Sequence, residues 1–181
     1  MTARNHVLTS VNIAFVPFIY NQDLMLSDSF LLFIAGVIFG ALIPDIDEER
    51  SSMGSKIKPL SFALHISIGH RTISHNLFLW AVVALYGFKI SSAGVFGIGV
   101  GAILHILEDG ATNNGVKWAL KPLYGNFSTI PKKMTFATNG SFETFVYSPI
   151  IIIITIAEMV IATKVLFPDV WHFLSAFIHI Q

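Results

Sequence analysis

An all-α bundle of polytopic membrane helices, about five running up and down with short peripheral helices, is what this sequence predicts, and three observations carry it. Hydrophobic residues make up 54% of the 181 positions and charged residues only 12%, a balance outside that of soluble domains. The apolar residues gather in uncharged runs of helical length, separated by polar segments that contain Gly, Pro, Asn and Asp. The residues suited to metal or phosphate chemistry stand at the ends of those runs. The length suits a single membrane-embedded domain over residues 1–181, without internal repeat or low-complexity segment.

In chain order, residues 7–20 form a first, imperfect helix that Pro17 kinks or ends early. A cleaved signal peptide is not expected, because Arg4 is the only basic residue before the run and no small-x-small site follows Tyr20. Residues 30–43 carry no charge and run into Pro44-Asp45-Ile46-Asp47, a helix-to-loop turn in which the two aspartates point the same way if the backbone is locally extended. A charged connection over 48–59 leads to a short helix over 60–68, with Gly69 as its stop. Gly69-His70-Arg71-Thr72-Ile73-Ser74-His75 then opens an apolar helix over 73–88.

A tight turn leads to residues 93–107, where Gly94, Gly97, Gly99 and Gly101 let a neighbouring helix approach closely in lipid. Residues 109–140 are polar and read as a long functional loop with one short helix. Ser141 starts the last long helix, which ends near Lys164. Residues 169–180, N-capped by Asp169, form a helix about 18 Å long, too short to span hydrocarbon and expected at the interface opposite the polar ends. Several apolar runs hold only about 15 residues against the roughly 20 that a crossing needs. A soluble helical bundle is therefore the alternative, and the composition decides against it.

Short connections imply antiparallel neighbours, so helix ends alternate between the two faces. His6 starts the first long helix, Asp45 and Asp47 end the second, His70 and His75 start the third, His105 and Asp109 end the fourth, and Glu143 starts the fifth. All fall at one end of the bundle. His105 and Asp109, four apart, share a helical face, where both can bind one ion or the carboxylate can orient the imidazole. His70 and His75, five apart, share an ion only if His70 lies in the turn before the helix. With no cysteine, any bound metal takes nitrogen and oxygen donors, which leaves zinc, manganese, iron or magnesium.

Each residue alone also has a plainer reading. A histidine near a helix end is commonly a cap or a hydrogen-bonded core residue, which is the reading for His65, His172 and His179, and Arg71 can snorkel to headgroups. Acids and histidines at membrane depth are nevertheless costly, which favours function for the convergent set. Of the 11 basic residues, Arg4, Arg50, Lys56, Lys58, Arg71, Lys117, Lys121, Lys132 and Lys133 fall at the polar end, while Lys89 and Lys164 fall at the other. This places the polar end in the cytoplasm. The net charge is zero and no basic run exceeds two residues, so no nucleic-acid partner is expected.

Taken together, Asn5-His6, Leu42-Ile43-Pro44-Asp45-Ile46-Asp47, Gly69-His70-Arg71 with Ser74-His75, and His105-Ile106-Leu107-Glu108-Asp109 before Gly115-Val116 resemble the YdjM-like family of LexA-regulated, inner-membrane metal-dependent hydrolases. The resemblance spans roughly the first 145 residues, and Glu143 matches its late acidic position. It implies a membrane-bound hydrolase of the bacterial inner membrane, connected with the SOS response, and supplies no substrate. A fainter likeness joins the chain to zinc-dependent phospholipases C, from which Met1 with His6 departs.

The expected function is hydrolysis of an ester or phosphoester, most plausibly of a membrane lipid, by water activated on a dinuclear centre, with zinc as the first choice. The expected metal ligands are His6, Asp45, Asp47, His70, His75, His105, Asp109 and Glu143. Arg71 is the expected phosphate partner, and Glu108 the expected base, in competition with Asp109. The rivals are a membrane metal or proton carrier and a structural membrane protein with a relic site. A transport path should reach both faces, and beyond the polar end the chain offers only Glu158 as a buried acid.

Overall fold

A computed structural model describes the chain except Arg50, residues 69–72, Tyr124, Asn126 and residues 179–181. Among the described residues seven α-helices follow one another: α1 (Ala3–Tyr20), α2 (Ser29–Gly40), α3 (Lys58–Ile68), α4 (Leu77–Lys89), α5 (Ala93–Gly110), α6 (Ser148–Leu166) and α7 (Pro168–Ile178). Among the described residues there is no β-strand beyond two isolated bridges. The stretches Ser29–Asp47, Ala93–Gly110 and Glu143–Leu166 are long and apolar enough to cross a membrane, and α4 is a shorter apolar helix.

Helix α5 is the axle. It packs along α2 on one side and α4 on another, while α1 lies against α5 and α6. The α2–α5 seam is closed from both sides by glycine. A methyl on Gly36 or Gly40 would collide with the carbonyls of Gly94 or Ile98, and one on Gly97 or Gly101 with those of Phe33 or Val37. Gly99 does the same work against Ala84 of α4. Backbones this close gain van der Waals contact, the main source of helix association where lipid removes the hydrophobic drive. Only the α5 half of this seam was anticipated; Gly36 and Gly40 supply the other half.

Local chemistry sets the helix ends. Pro17 stays inside α1, which runs on to Tyr20. Helix α2 stops at Gly40, and Pro44 then enters a 3-10 turn, Ile43–Asp47. Helix α4 starts at Leu77 rather than at Ile73. Asn76 caps it by accepting from the Leu79 N–H at 3.1 Å, and Ile73–His75 forms a separate 3-10 turn. Asp169 lies in the first turn of α7 rather than at its cap, because Pro168, which needs no N–H partner, takes the first helical place.

The long connection between α5 and α6 folds back over the end of α5. Thr129 N–H and Ser128 Oγ both donate to the Gly110 carbonyl at 3.0 Å, and Thr129 Oγ1 donates to Leu107 O. Carbonyls that a helix leaves without partners are thereby satisfied. The bridges Thr112 to Phe136 and Val116 to Phe127 hold the loop in place.

Candidate metal centre

Asp45, His75, His105 and Asp109 each bring one donor atom into a group whose members all lie within 4.8 Å of one another. They come from the turn after α2, the turn before α4 and the last turns of α5, the alternation of ends that antiparallel packing requires. Nε2 of His75 is 3.6 Å from Asp45 Oδ1 and 3.8 Å from Asp109 Oδ2. Nε2 of His105 is 3.7 and 4.0 Å from the same two oxygens. Donors about 2.0–2.2 Å from a tetrahedral zinc ion stand roughly 3.3–3.6 Å apart, so the four nitrogen–oxygen separations need to close by at most a few tenths of an ångström, and the widest separation in the group by about an ångström, to fit one ion.

The tautomers point the same way. His105 Nδ1 is 2.7 Å from the Ala41 carbonyl oxygen. A carbonyl can only accept, so Nδ1 carries a proton, and in the neutral ring the Nε2 lone pair faces the aspartates. Ser74 has one hydroxyl proton and gives it to Asp47 Oδ2 at 2.7 Å; its oxygen is then the acceptor for His75 Nδ1–H at 3.1 Å. His75 Nε2 therefore also presents a lone pair. Burial, the largest influence on His75, pushes its imidazole below its ordinary value against the opposing pull of Asp45. A neutral ring is the form that binds metal. Among the described residues His105 Nε2 has no hydrogen-bond partner, although it is buried among two carboxylates and a second imidazole. Lone pairs and carboxylate oxygens turned toward one point repel one another unless a cation or protons lie between them.

His6 stacks on His105, with ring centroids 3.9 Å apart. Glu108 Oε2 accepts from its Nδ1 at 2.7 Å, and Ser10 Oγ donates to Glu108 Oε1 at 2.9 Å. His6 Nε2 then faces Asp109 Oδ1 at 3.2 Å, on the side of that carboxylate away from His75 and His105. The α-amine of Met1 ion-pairs with the same oxygen at 2.8 Å, fully buried. Asp45 is the open member of the group. Its side chain is 23% exposed against 0–1% for His75, His105 and Asp109, so the mouth of the site lies on its side.

Four of the expected site residues stand differently. Asp47 does not join the group. In a 3-10 turn of three residues per turn, positions two apart point about 120° away from each other, so Asp45 turns to the histidines while Asp47 holds Ser74. The locally extended backbone that would have aligned them does not form. Glu143 also lies outside the group. It accepts from Asn5 Nδ2 at 2.7 Å, Thr2 N at 2.8 Å and Asn139 N at 2.6 Å, in a π-helical turn, Glu143–Tyr147, that leads into α6.

Glu108 fits the part of base poorly. Both its oxygens are engaged by His6 and Ser10, and it is buried on the far side of His6, so its geometry is that of a carboxylate orienting an imidazole. His6 adjoins the group rather than belonging to it. His70 and Arg71 lie outside the described residues, as does His179. His65 Nδ1 lies 3.2 Å from the Asp47 carbonyl, and His172 is exposed on α7. Ser74, Ser10 and the Ala41 carbonyl were not expected to orient anything. Ser10 left a trace in the sequence as a polar residue one helical turn after His6, and Ser74 as part of the Ser74-His75 motif; the Ala41 carbonyl left none.

A family model described as YdjM inner membrane protein matches residues 1–178. The chain belongs to the YdjM family. The inner membrane protein YdjM of Escherichia coli (strain K12) is 31% identical over 126 residues, which cover 64% of this chain and 63% of that protein. The same figures hold for its namesake in Shigella flexneri. The uncharacterized protein YvsG of Bacillus subtilis (strain 168) is 29% identical over 124 residues, 65% of this chain and 71% of its own. The chain thus aligns with less than two thirds of the length of the first two relatives. No solved structure matches it. Membership in the YdjM family reaches beyond the first 145 residues into α6 and α7, where only hydrophobicity had been legible. With the three apolar stretches, it makes this a membrane protein that carries a cluster able to hold a metal ion.

Proposed function

We propose that this chain is a multi-pass protein of the bacterial inner membrane that hydrolyses a phosphoester of a membrane lipid at a divalent-metal centre facing the cytoplasm. The observation that carries the reading is the convergence of Asp45, His75, His105 and Asp109, with two Nδ1–H tautomers leaving their Nε2 lone pairs turned inward. Zinc suits the nitrogen and oxygen donors and the spacing best. A second ion would be held by His6 Nε2 and Asp109 Oδ1, and to bind there it would have to displace the Met1 ammonium from that oxygen.

A divalent ion bound there supplies Lewis acidity and a water whose pKa is brought toward neutrality. The protein's own part is orientation. Asp47 through Ser74 fixes His75, Ala41 fixes His105, and Glu108 with Ser10 fixes His6. Arg71, two positions before Ile73, keeps the role of phosphate partner, and Asp45 stands where substrate enters. The cytoplasmic placement rests on the unequal distribution of Lys and Arg between the two ends.

One observation favours the carrier instead. Asn12 Nδ2 donates to Ile151 O at 3.1 Å and Thr155 Oγ1 to Asn12 Oδ1 at 2.9 Å, which extends polar contacts down α1 and α6 toward the buried Glu158. Protein purified in detergent separates the two readings. Elemental analysis should find one or two equivalents of zinc, a chromogenic phosphoester should be cleaved in proportion to the metal present, and His105→Ala and Asp109→Ala should each lose more than nine tenths of both. Metal content unchanged in both variants would sink the ligand assignment. Metal retained without cleavage, together with metal transport into sealed vesicles that Glu158→Gln abolishes, would establish the carrier.

A further inference from the structure

The turn that delivers His75 to the cluster also builds a second feature on its outer side. Ile73, Asn76, Leu79, Trp118, Lys121 and Pro122 line an open pocket of about 380 Å³, within the range of small-molecule sites, roughly 300–1,000 Å³. Its two halves come from distant parts of the chain and are fastened together. Asn76 Nδ2 donates to the carbonyls of Trp118 at 3.1 Å and Lys121 at 2.9 Å, while Leu77 N–H donates to Ala119 O at 2.9 Å. The cap residue of α4 therefore also clamps the loop that carries Trp118 and Lys121. Ala119, between them, is fully buried.

The chemistry of the cavity has two parts. Ile73, Leu79 and Trp118 expose large apolar surfaces around it, and Leu123 stands exposed beyond. The Lys121 ammonium lies 4.9 Å from the centre of the Trp118 ring. Among the described residues no carboxylate pairs with Lys121 or with its exposed neighbour Lys117. An apolar slot with an unneutralised cation at its rim complements an amphiphile with a negative headgroup. A tryptophan and a lysine at one helix end are also the side chains that favour the level of the headgroups.

We propose that this pocket, whose Asn76 directly follows His75 of the candidate metal centre, seats an anionic phospholipid, its acyl portion against Ile73, Leu79 and Trp118 and its phosphate at Lys121. The proposal deepens the lipid-directed reading of the metal centre and rests on it. A zwitterionic lipid lacks the net charge that Lys121 selects, and free phosphate lacks the chain that the apolar walls need.

The test reads Trp118 fluorescence in full-length protein reconstituted in phosphatidylcholine vesicles that contain a tenth of either phosphatidylglycerol or phosphatidylcholine with brominated acyl chains. A Trp171→Phe background removes the α7 signal, and the difference from Trp171→Phe/Trp118→Phe isolates Trp118. Quenching by brominated phosphatidylglycerol should exceed that by brominated phosphatidylcholine at least twofold, and Lys121→Gln should abolish the excess while zinc content stays as in the parent. Equal quenching by the two lipids, or a preference that survives Lys121→Gln, overturns the proposal. So does a preference that millimolar inorganic phosphate removes, since that identifies a free-anion site. Zinc content is measured separately, so a headgroup preference without bound zinc would overturn the reading of the metal centre and leave the lipid site standing.

Discussion

Helix α1 buries side chains near both of its ends, and for opposite reasons. At its start Asn5, His6 and Ser10 are enclosed with Asp109, Glu108, Glu143 and Ser148. Toward its end Phe15 and Phe18 pack with Met25 and Phe30, the rings of Phe18 and Phe30 edge-on with centroids 4.9 Å apart. At the aromatic end shape suffices, because van der Waals contact has no direction to satisfy. At the polar end every enclosed group requires a partner, and Asn5 shows how fully that is met. Its amide donates to Glu143 Oε1 and to Ser148 Oγ, whose own proton goes to the Glu143 carbonyl. Burial alone therefore does not mark a functional site. The mark is a set of buried polar atoms that the protein orients and still leaves facing one another, as at His105 Nε2.

The largest effect that should sharpen this contrast is metal linkage. Zinc at a hundred times its dissociation constant should stabilise the native chain in detergent by about 2.7 kcal/mol, seen as a rise in thermal midpoint that a chelator reverses. His105→Ala should show no such rise, and an equal rise in that variant would remove the cluster as the binding site.

Next in size is the seam on which both ends depend. Gly40→Ala forces a methyl against the Ile98 carbonyl and should cost about 1–3 kcal/mol, the usual cost of overpacking. It should also weaken zinc binding, because Ala41 next to it holds His105. Gly94→Ala meets only an ordinary contact with Leu32 O at 3.7 Å and should leave the thermal midpoint unchanged or slightly raised. Similar losses in both variants would mean that the seam is not as close as described.

The smallest difference comes from one kind of substitution made at each end. Met25→Leu conserves volume among aromatic rings and should cost less than about 1.5 kcal/mol. Asn5→Leu is also close in volume but strips partners from Glu143 and Ser148, and should cost about 1–3 kcal/mol. Chemical denaturation of the two variants in the same detergent gives the comparison, and the reverse order would contradict the account of the polar end.

The pattern of apolar runs and polar interruptions by itself determined the helices, their alternation, and which end of the bundle would collect His6, Asp45, His75, His105, Asp109 and Glu143. Periodicity and connection length are local properties, and a chain that must satisfy its own backbone in lipid has few architectures open to it. The spacing of His105 and Asp109 was likewise legible, since four residues on a helix always share a face. What only the tertiary structure decided is the division of labour within the convergent set. Asp45 and Asp47 differ because a 3-10 turn rather than an extended one follows α2. Glu108 and Asp109 are adjacent in sequence, yet a step of 100° around α5 turns one to Ser10 and the outer nitrogen of His6 and the other to the cluster. Glu143 reached the expected end, but a π-helical turn spends its carboxylate on the start of α1. Each of these outcomes depends on which atom a neighbouring helix presents at a few ångströms, a relation between distant segments that one-dimensional spacing does not encode.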